Sequence, residues 1–373
     1  MEYSEIERGT LLAAYLCGCA LRGDAPEPDR VRADDLKLIY GCAKRQMMTA
    51  LAAHALASAG VCNKNYERAE ARAIKKAVTL DALLARVADE LESRGIFYLP
   101  LKGAVLKTLY PAVGLRQMTD VDVLVDPSRR ADVRAAMEQV GFTCAHYGSG
   151  VHDIYTMEPS AEFEMHVALF SPKEPVLRAY FADVADRMIP DGGFARRLSD
   201  EDFYIYMTAH EFHHYSGRGA GVRSLADAFV FLRAHPSLDR RYVDGELDKL
   251  GVRAFEETRT SLAFKLFADS NVPPLTDSES DMLARYVMSG YNGSDDIAAE
   301  NTIEKQGGAG YLRRRIFVPP EDFRESHPFI YRHRFLHPVH GLIRIGRAVT
   351  SGRRRTVNEL KHYFRKKRRP PRD

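Results

Sequence analysis

The chain has 373 residues and a mass of 42.0 kDa, enough for roughly two to three domains and for cores that need no disulfide staples. Its 45% hydrophobic and 28% charged content excludes a disordered or fibrous chain. The longest uncharged stretch, Gln46 to Asn63, is Ala-rich and too weakly apolar to span a bilayer. The net charge of +3 conceals an asymmetry: residues 341–373 hold twelve Lys/Arg against Glu359 and Asp373, which leaves −7 for residues 1–340.

Residues 1–94 read as an N-terminal helical segment. Leu11, Leu12, Tyr15, Leu16 and Cys19 fall at helical spacing, so Leu16-Cys17-Gly18-Cys19 belongs to a buried helix. Glu2, Glu5 and Glu7 around Arg8 oppose a secretory leader. The five cysteines, odd in number and without a paired C-x-x-C, suit a reducing cytoplasm. Arg68 to Arg94 predicts the clearest helix, with an apolar stripe of Ile74, Ala77, Val78, Leu80, Leu83, Leu84, Val87 and Leu91 and a stop at Gly95.

Residues 95–174 change character. Ile96-Phe97-Tyr98-Leu99 predicts a strand, Leu101-Lys102-Gly103 opens a short helix, and Val121 to Val125 predicts a second strand. Asp126-Pro127-Ser128 starts a helix closing at Gly141. His152 to Met157 and Glu162 to Phe170 are further strands. From Pro175 the pattern is helical again, best at Glu201–Tyr215, Ser224–His235, Arg241–Leu250 and Ala254–Ala268, and Gly290 to Gly310 predicts a polar loop. The expected fold is α+β: a small mixed sheet at 95–174, framed by helices at 1–94 and 175–340. Residues 341–373 form a basic tail. Its Arg365-Lys366-Lys367-Arg368-Arg369 run could meet nucleic-acid or membrane phosphates, or stay solvated, while Val357, Leu360, Tyr363 and Phe364 suggest one apolar helix face.

The chemistry concentrates in Arg116-Gln117-Met118-Thr119-Asp120-Val121-Asp122-Val123-Leu124-Val125. Residues two apart on a strand share a face, so Asp120 and Asp122 project together while Val121, Val123 and Val125 pack behind. Carboxylates this close repel unless a cation intervenes, and oxygen ligands suit Mg²⁺. In Phe163-Glu164-Met165-His166-Val167, Glu164 and His166 share the face opposite Phe163, Met165 and Val167. If the two strands are neighbours, three carboxylates converge, the arrangement with which two metal ions activate a hydroxyl and steady a leaving pyrophosphate. Lys102-Gly103, at a strand-to-helix junction, adds a positive charge and room for an anion.

These residues, in the order Leu-Pro-Leu-Lys-Gly, Leu-Arg-Gln-Met-Thr-Asp-Val-Asp-Val-Leu-Val and Glu-Met-His-Val, resemble the uncharacterised bacterial nucleotidyltransferase family of the polymerase-β-like superfamily. The resemblance is sharpest over residues 96–170 and extends loosely through His210, Arg223 and Asp227 to the run at 311–317. It implies a minimal nucleotidyltransferase sheet and Mg²⁺-dependent transfer of a nucleoside monophosphate from a triphosphate such as ATP to a hydroxyl or phosphate acceptor. Asp120, Asp122 and Glu164 would be the catalytic, metal-holding carboxylates, and Lys102, Gly103 and Arg116 would meet the nucleotide. Arg116 could equally serve as partner to a nearby carboxylate. The chain departs from the wider superfamily where Lys102-Gly103-Ala104 replaces Gly-Ser or Gly-Gly: either Lys102 substitutes for the missing hydroxyl, or nucleotide affinity is weaker.

Two further readings are open. His210-Glu211-Phe212-His213-His214 is a literal H-E-x-x-H, the zinc-peptidase pattern, but Ala220 stands where the extended pattern needs a third histidine and Arg218 adds positive charge. The third reading is a non-catalytic protein that keeps the sheet and binds nucleic acid through its tail. Arg223 and Asp227, four apart, predict a helix salt bridge.

Overall fold

A computed structural model describes residues 3–291 together with Gly293, Ser294, Ile297, Ala298, Asn301, Phe329, Arg332 and His333. The chain divides into two units, residues 1–213 with 220–291, and residues 214–219 with 292–373. In the second, the Gly219 N–H donates to the His214 carbonyl at 2.8 Å and the Ser294 N–H to that of Arg218 at 2.7 Å. The basic tail and the 311–317 run lie outside the described residues. The first unit holds all of the described strands.

The N-terminal periodicity forms α1 (Tyr3–Arg22), α2 (Leu36–Arg45), α3 (Thr49–Ser58) and α4 (Lys64–Ser93). Leu16, Cys17 and Cys19 are fully buried in α1. α4 begins where the Asn63 side chain accepts the Asn65 N–H at 3.0 Å. Ile74 and Val78, part of the expected stripe, are exposed. The first half of α4 instead turns Tyr66, Ala69 and Ala73 inward, with the Tyr66 hydroxyl donating to the Leu36 carbonyl. Only the second half, through Leu80, Leu83, Val87 and Leu91, faces the sheet.

The sheet contains β1 (Tyr98–Pro100), β2 (Val121–Val125), β3 (Thr143–His146), β4 (His152–Met157) and β5 (Ala161–His166), in the order β1-β2-β5-β4-β3. β2 and β5 run parallel; the other pairs are antiparallel. α5 (Lys102–Leu106) follows β1 and α6 (Arg130–Val140) follows β2. This is the α+β architecture expected. β3 has no counterpart in the sequence reading, because a four-residue, largely exposed strand carries little apolar signal. β5 stops at His166, short of Phe170, and Leu169 and Phe170 join a different core.

Alternation divides the sheet's faces. Val121, Val123, Val125, Phe163 and Met165 pack under α4 and α6. On the other face, Leu99 and Leu124 pack with Phe170 and with residues of α7 (Pro175–Tyr180), α8 (Asp200–Ser216), α9 (Arg223–Ala234) and α10 (Arg240–Leu250). β6 (Ile189–Pro190) and β7 (Arg196–Arg197) form a small hairpin, and α11 (Arg253–Phe267) and α12 (Asp277–Ser289) complete the unit. α12 starts with a reciprocal capping box between Thr276 and Glu279. No described helix is long and apolar enough to cross a membrane.

The segment leading into β2 crosses α4 at Gly114. Its φ is +85°, and a Cβ there would stand 2.7 Å from the Ile74 backbone nitrogen. Backbone cannot yield as a side-chain end can, and an L-residue would be strained besides. Gly114→Ala is expected to cost roughly 2–4 kcal/mol, measured as a lower midpoint of urea unfolding at unchanged slope.

Candidate active site

β2 and β5 are hydrogen-bonded neighbours, and their register sets Asp122 directly beside Glu164. Because Val121, Val123, Phe163 and Met165 are buried beneath the sheet, Asp122, Glu164 and His166 must project from the other face. Asp120, one residue before β2, and Glu162, two before Glu164, complete a carboxylate group. Oxygens of Asp120, Glu162 and Glu164 all lie within 4.8 Å of one another. The third strand adds a histidine. Asp153 of β4 is turned to the α6 face, where its carboxylate accepts from Arg130 Nε at 2.7 Å, so its neighbour His152 faces the carboxylates. His152 Nδ1 lies 3.5 Å from Glu164 Oε2, and His166 Nε2 lies 3.4 Å from the same oxygen and 3.2 Å from Asp122 Oδ1.

The charges are set by this crowding. Burial pushes the Asp120 carboxyl above its ordinary range, and Asp122 and Glu164 push it further. For Asp122 burial is outweighed by the His166 hydrogen bond and by Lys102, which hold it well below the usual carboxylate range. His166 shows the complement: burial opposes its charge, but hydrogen bonds to Asp122 and Glu164 raise it to about 9. His152 is lowered, chiefly by burial.

Lys102 reaches the same face from α5. The Leu101 N–H donates to the Asp122 carbonyl at 2.9 Å, which fixes the start of α5 beside the aspartate. Lys102 Nζ lies 2.8 and 2.9 Å from the two ring nitrogens of His210 on α8. Burial lowers its ammonium pKa, with Asp122 and Asp120 opposing that shift. One turn earlier on α8, fully buried Tyr206 has its phenol pushed up by burial and then by Asp122 and Glu164. α8 therefore covers the carboxylate face. At Gly103 a Cβ would come within 3.0 Å of both Arg116 Nη1 and Met118 Cε, so glycine lets the segment before β2 pass close to α5.

Arg116 has a partner of its own. Its Nε and Nη2 bind the two oxygens of Asp227 at 2.8 and 2.9 Å, and the Tyr110 hydroxyl donates to Asp227 at 2.7 Å. Arg116 is thus an anchor between the segment before β2 and α9, rather than a residue aimed at the carboxylates. The helix salt bridge expected between Arg223 and Asp227 is replaced by this long-range pair; Arg223 Nη1 donates to the Gln117 carbonyl at 2.6 Å. Gln117 in turn accepts from the Thr49 hydroxyl and the Ala50 N–H at 2.8 and 2.9 Å. Consecutive residues leading to Asp120 are thereby tied to different helices.

The H-E-x-x-H reading is corrected by the surroundings of Glu211. Its carboxylate is buried, bound to Arg259 Nη1 at 2.9 Å and to the Tyr286 hydroxyl at 2.6 Å. A general base needs a carboxylate that can face a metal-bound water, and this one is committed to a guanidinium in the core. His210, meanwhile, faces Lys102.

Beside the carboxylates, a pocket of about 480 Å³ is lined by Tyr40, Lys44, Met47, Arg72, Lys76 and Gln117 among others, with no acidic residue among them. Lys76 joins it to the site electrostatically, since Asp120 and Glu162 favour its charge against burial. Met118 lines the pocket and also meets Gly103.

A family model described as uncharacterised nucleotidyltransferase matches residues 32–268, well over half the chain. The chain belongs to that nucleotidyltransferase family. No curated protein and no solved structure matches it. The matched span runs from the approach to α2 through α11 and includes every residue of the candidate site. At this site, sequence reasoning missed Glu162, His152 and Tyr206, and gave Asp227 the wrong partner. Glu162 was within reach, because it stands two before Glu164 on one strand. The others depend on strand register or on side chains forty or more residues beyond β5, and no local pattern marks what they meet.

Proposed function

We propose that the chain transfers a nucleoside monophosphate from a nucleoside triphosphate to a hydroxyl or phosphate on a small acceptor. The observation supporting this is the meeting of Asp120, Asp122 and Glu164 on one face of the parallel β2–β5 pair. The repulsion registered in the raised Asp120 carboxyl is what a divalent cation relieves, so the donor set fits Mg²⁺, held by Asp120, Glu162 and Glu164 with Asp122 paired beside Glu164. When bound, Mg²⁺ polarises phosphoryl oxygens and offsets the charge that develops on the leaving pyrophosphate.

In this reading, Asp122 and Glu164 orient the reacting groups, with Glu164 the carboxylate that helps to deprotonate an acceptor hydroxyl. Lys102 stands at the phosphates. Its buried ammonium is poised to stabilise negative charge in a place that α8 shields from water. Gly103 lets Arg116 and Met118 lie close to α5, and Arg116 keeps Asp120 and Asp122 in place through Asp227. The pocket at Lys44, Arg72 and Lys76 has the size of a small-molecule site and a charge suited to an anionic acceptor.

Thermal unfolding with ATP, GTP, CTP and UTP, each with and without Mg²⁺, tests the reading. A nucleotide at a hundred times its Kd adds about 2.7 kcal/mol, so one triphosphate should raise the melting temperature only with Mg²⁺. The doubly substituted Asp120→Asn/Asp122→Asn protein should show no such rise. A chain that no triphosphate stabilises is not acting as a nucleotidyltransferase.

A further inference from the structure

The all-oxygen group at Asp120, Glu162 and Glu164 leaves the two histidines of this face, His152 and His166, without a role. His152, Glu164 and His166 make a second group, whose donor atoms also lie within 4.8 Å of one another. Two of its three donors are imidazole nitrogens. Hard Mg²⁺ takes oxygen ligands and keeps its waters, whereas imidazole suits zinc-class ions. The spacing agrees with the donor type. Four ligands at about 2.0–2.1 Å around a tetrahedral ion stand roughly 3.3–3.4 Å apart. Glu164 Oε2 lies 3.5 Å from His152 Nδ1 and 3.4 Å from His166 Nε2.

The surroundings favour a built site over a chance cluster. His166 is 8% exposed, and His152 Nδ1, buried and turned to Glu164, has no hydrogen-bond donor or acceptor among the described residues. Both imidazoles are held by strand pairing, since His152 and His166 stand opposite each other across β4 and β5. Asp153, buried on the opposite face in its pair with Arg130, locks that alternation. Rigid strands set donor positions more narrowly than loops do.

We propose that His152, Glu164 and His166 hold one zinc-class transition-metal ion, with the fourth position open beside Asp122, and that Glu164 is shared with the all-oxygen Mg²⁺ position. The two metal positions on this face then differ in kind: one hard and exchangeable, the other nitrogen-rich and tightly held. Three protein ligands with one open position is the pattern of catalytic rather than structural zinc. The assignment concerns the face proposed for nucleotidyl transfer but stands on its own geometry.

The test uses the full chain without a histidine tag, stripped by chelator and dialysed against Zn²⁺ alone or Mg²⁺ alone. The wild type should retain one Zn²⁺ per chain and bind it far more tightly than Mg²⁺. His152→Asn, at a half-buried strand position, should weaken Zn²⁺ binding at least roughly 10- to 100-fold, and His166→Gln should do the same. Asp120→Asn/Glu162→Gln should keep the zinc. Zinc held no more tightly than Mg²⁺ overturns the proposal, and so does unchanged zinc in His152→Asn or zinc lost in His210→Gln, which would put the ion elsewhere. Nucleotide binding is read separately: zinc retained by a chain that no triphosphate stabilises removes the transferase reading and leaves the metal site standing.

Discussion

Asp122→Asn is expected to lower pyrophosphate release from the preferred triphosphate by about a thousandfold or more. Electrostatic stabilisation of a transferring phosphoryl group by carboxylate-held metal is worth several kcal/mol, and each 1.36 kcal/mol is a factor of ten in rate. Asp122 is the carboxylate that the fold keeps charged, through His166 and Lys102, and asparagine removes that charge while keeping the shape. The companion substitution separates chemistry from stability. Asp120 has its folded-state pKa raised by burial and by Asp122 and Glu164. A raised carboxyl stabilises the fold below its unfolded pKa and loses that contribution as pH climbs through the folded value. Above that value the charged Asp120 therefore opposes folding, and Asp120→Asn, which mimics the protonated form, should raise the melting temperature of the metal-free protein while abolishing transfer. Calorimetry of metal-free protein beside a pyrophosphate assay checks both signs. A site without function would show the stability change and no loss of rate.

Glu211→Ala is expected to be the most destabilising single change on α8, at about 3–5 kcal/mol. Arg259 has no side-chain exposure and Glu211 only 6%. Removing the carboxylate strands a guanidinium among Tyr204, Tyr286 and Glu256. Arg259 Nη2 donates to the Tyr204 hydroxyl at 2.6 Å, but Glu256 is 4.0 Å away and already accepts from Tyr204 and Arg240, so it cannot replace Glu211 fully. At about 2–4 °C per kcal/mol for a unit of this size, the melting temperature should fall by roughly 10 °C. A zinc peptidase would lose activity in Glu211→Gln at nearly unchanged stability. The buried pair instead predicts a large thermal effect whichever neutral residue is installed, larger for alanine because the cavity adds to the unpaired charge.

Both predictions depend on residues whose legibility in the sequence differed. Val121-Asp122-Val123 and Phe163-Glu164-Met165-His166 assign faces by themselves, because side chains on a strand alternate with a period of two and any short window records it. The same periodicity argument, at helical spacing, marked α8 to α11 and the second half of α4. What no window records is which strands lie side by side. Asp122 and Glu164 meet only because β2 and β5 pair directly in parallel although β3 and β4 separate them in the sequence, and His152 joins them only through the β4 register.

Charge partners were hidden for the same reason. Arg223 and Asp227 satisfy the i, i+4 spacing of a helix pair, yet Asp227 takes Arg116 from 111 positions away, because a buried carboxylate is better satisfied by a bidentate guanidinium and a tyrosine hydroxyl than by a neighbour on its own helix. H-E-x-x-H gave a pattern of residue types and no measure of burial, and burial beside Arg259 decides what Glu211 can do. The sequence by itself determined the two carboxylate strands, the faces their side chains share and the family they belong to. The tertiary structure alone decided which charges meet, because strand order and long-range ion pairing arise from chain segments that no local periodicity connects.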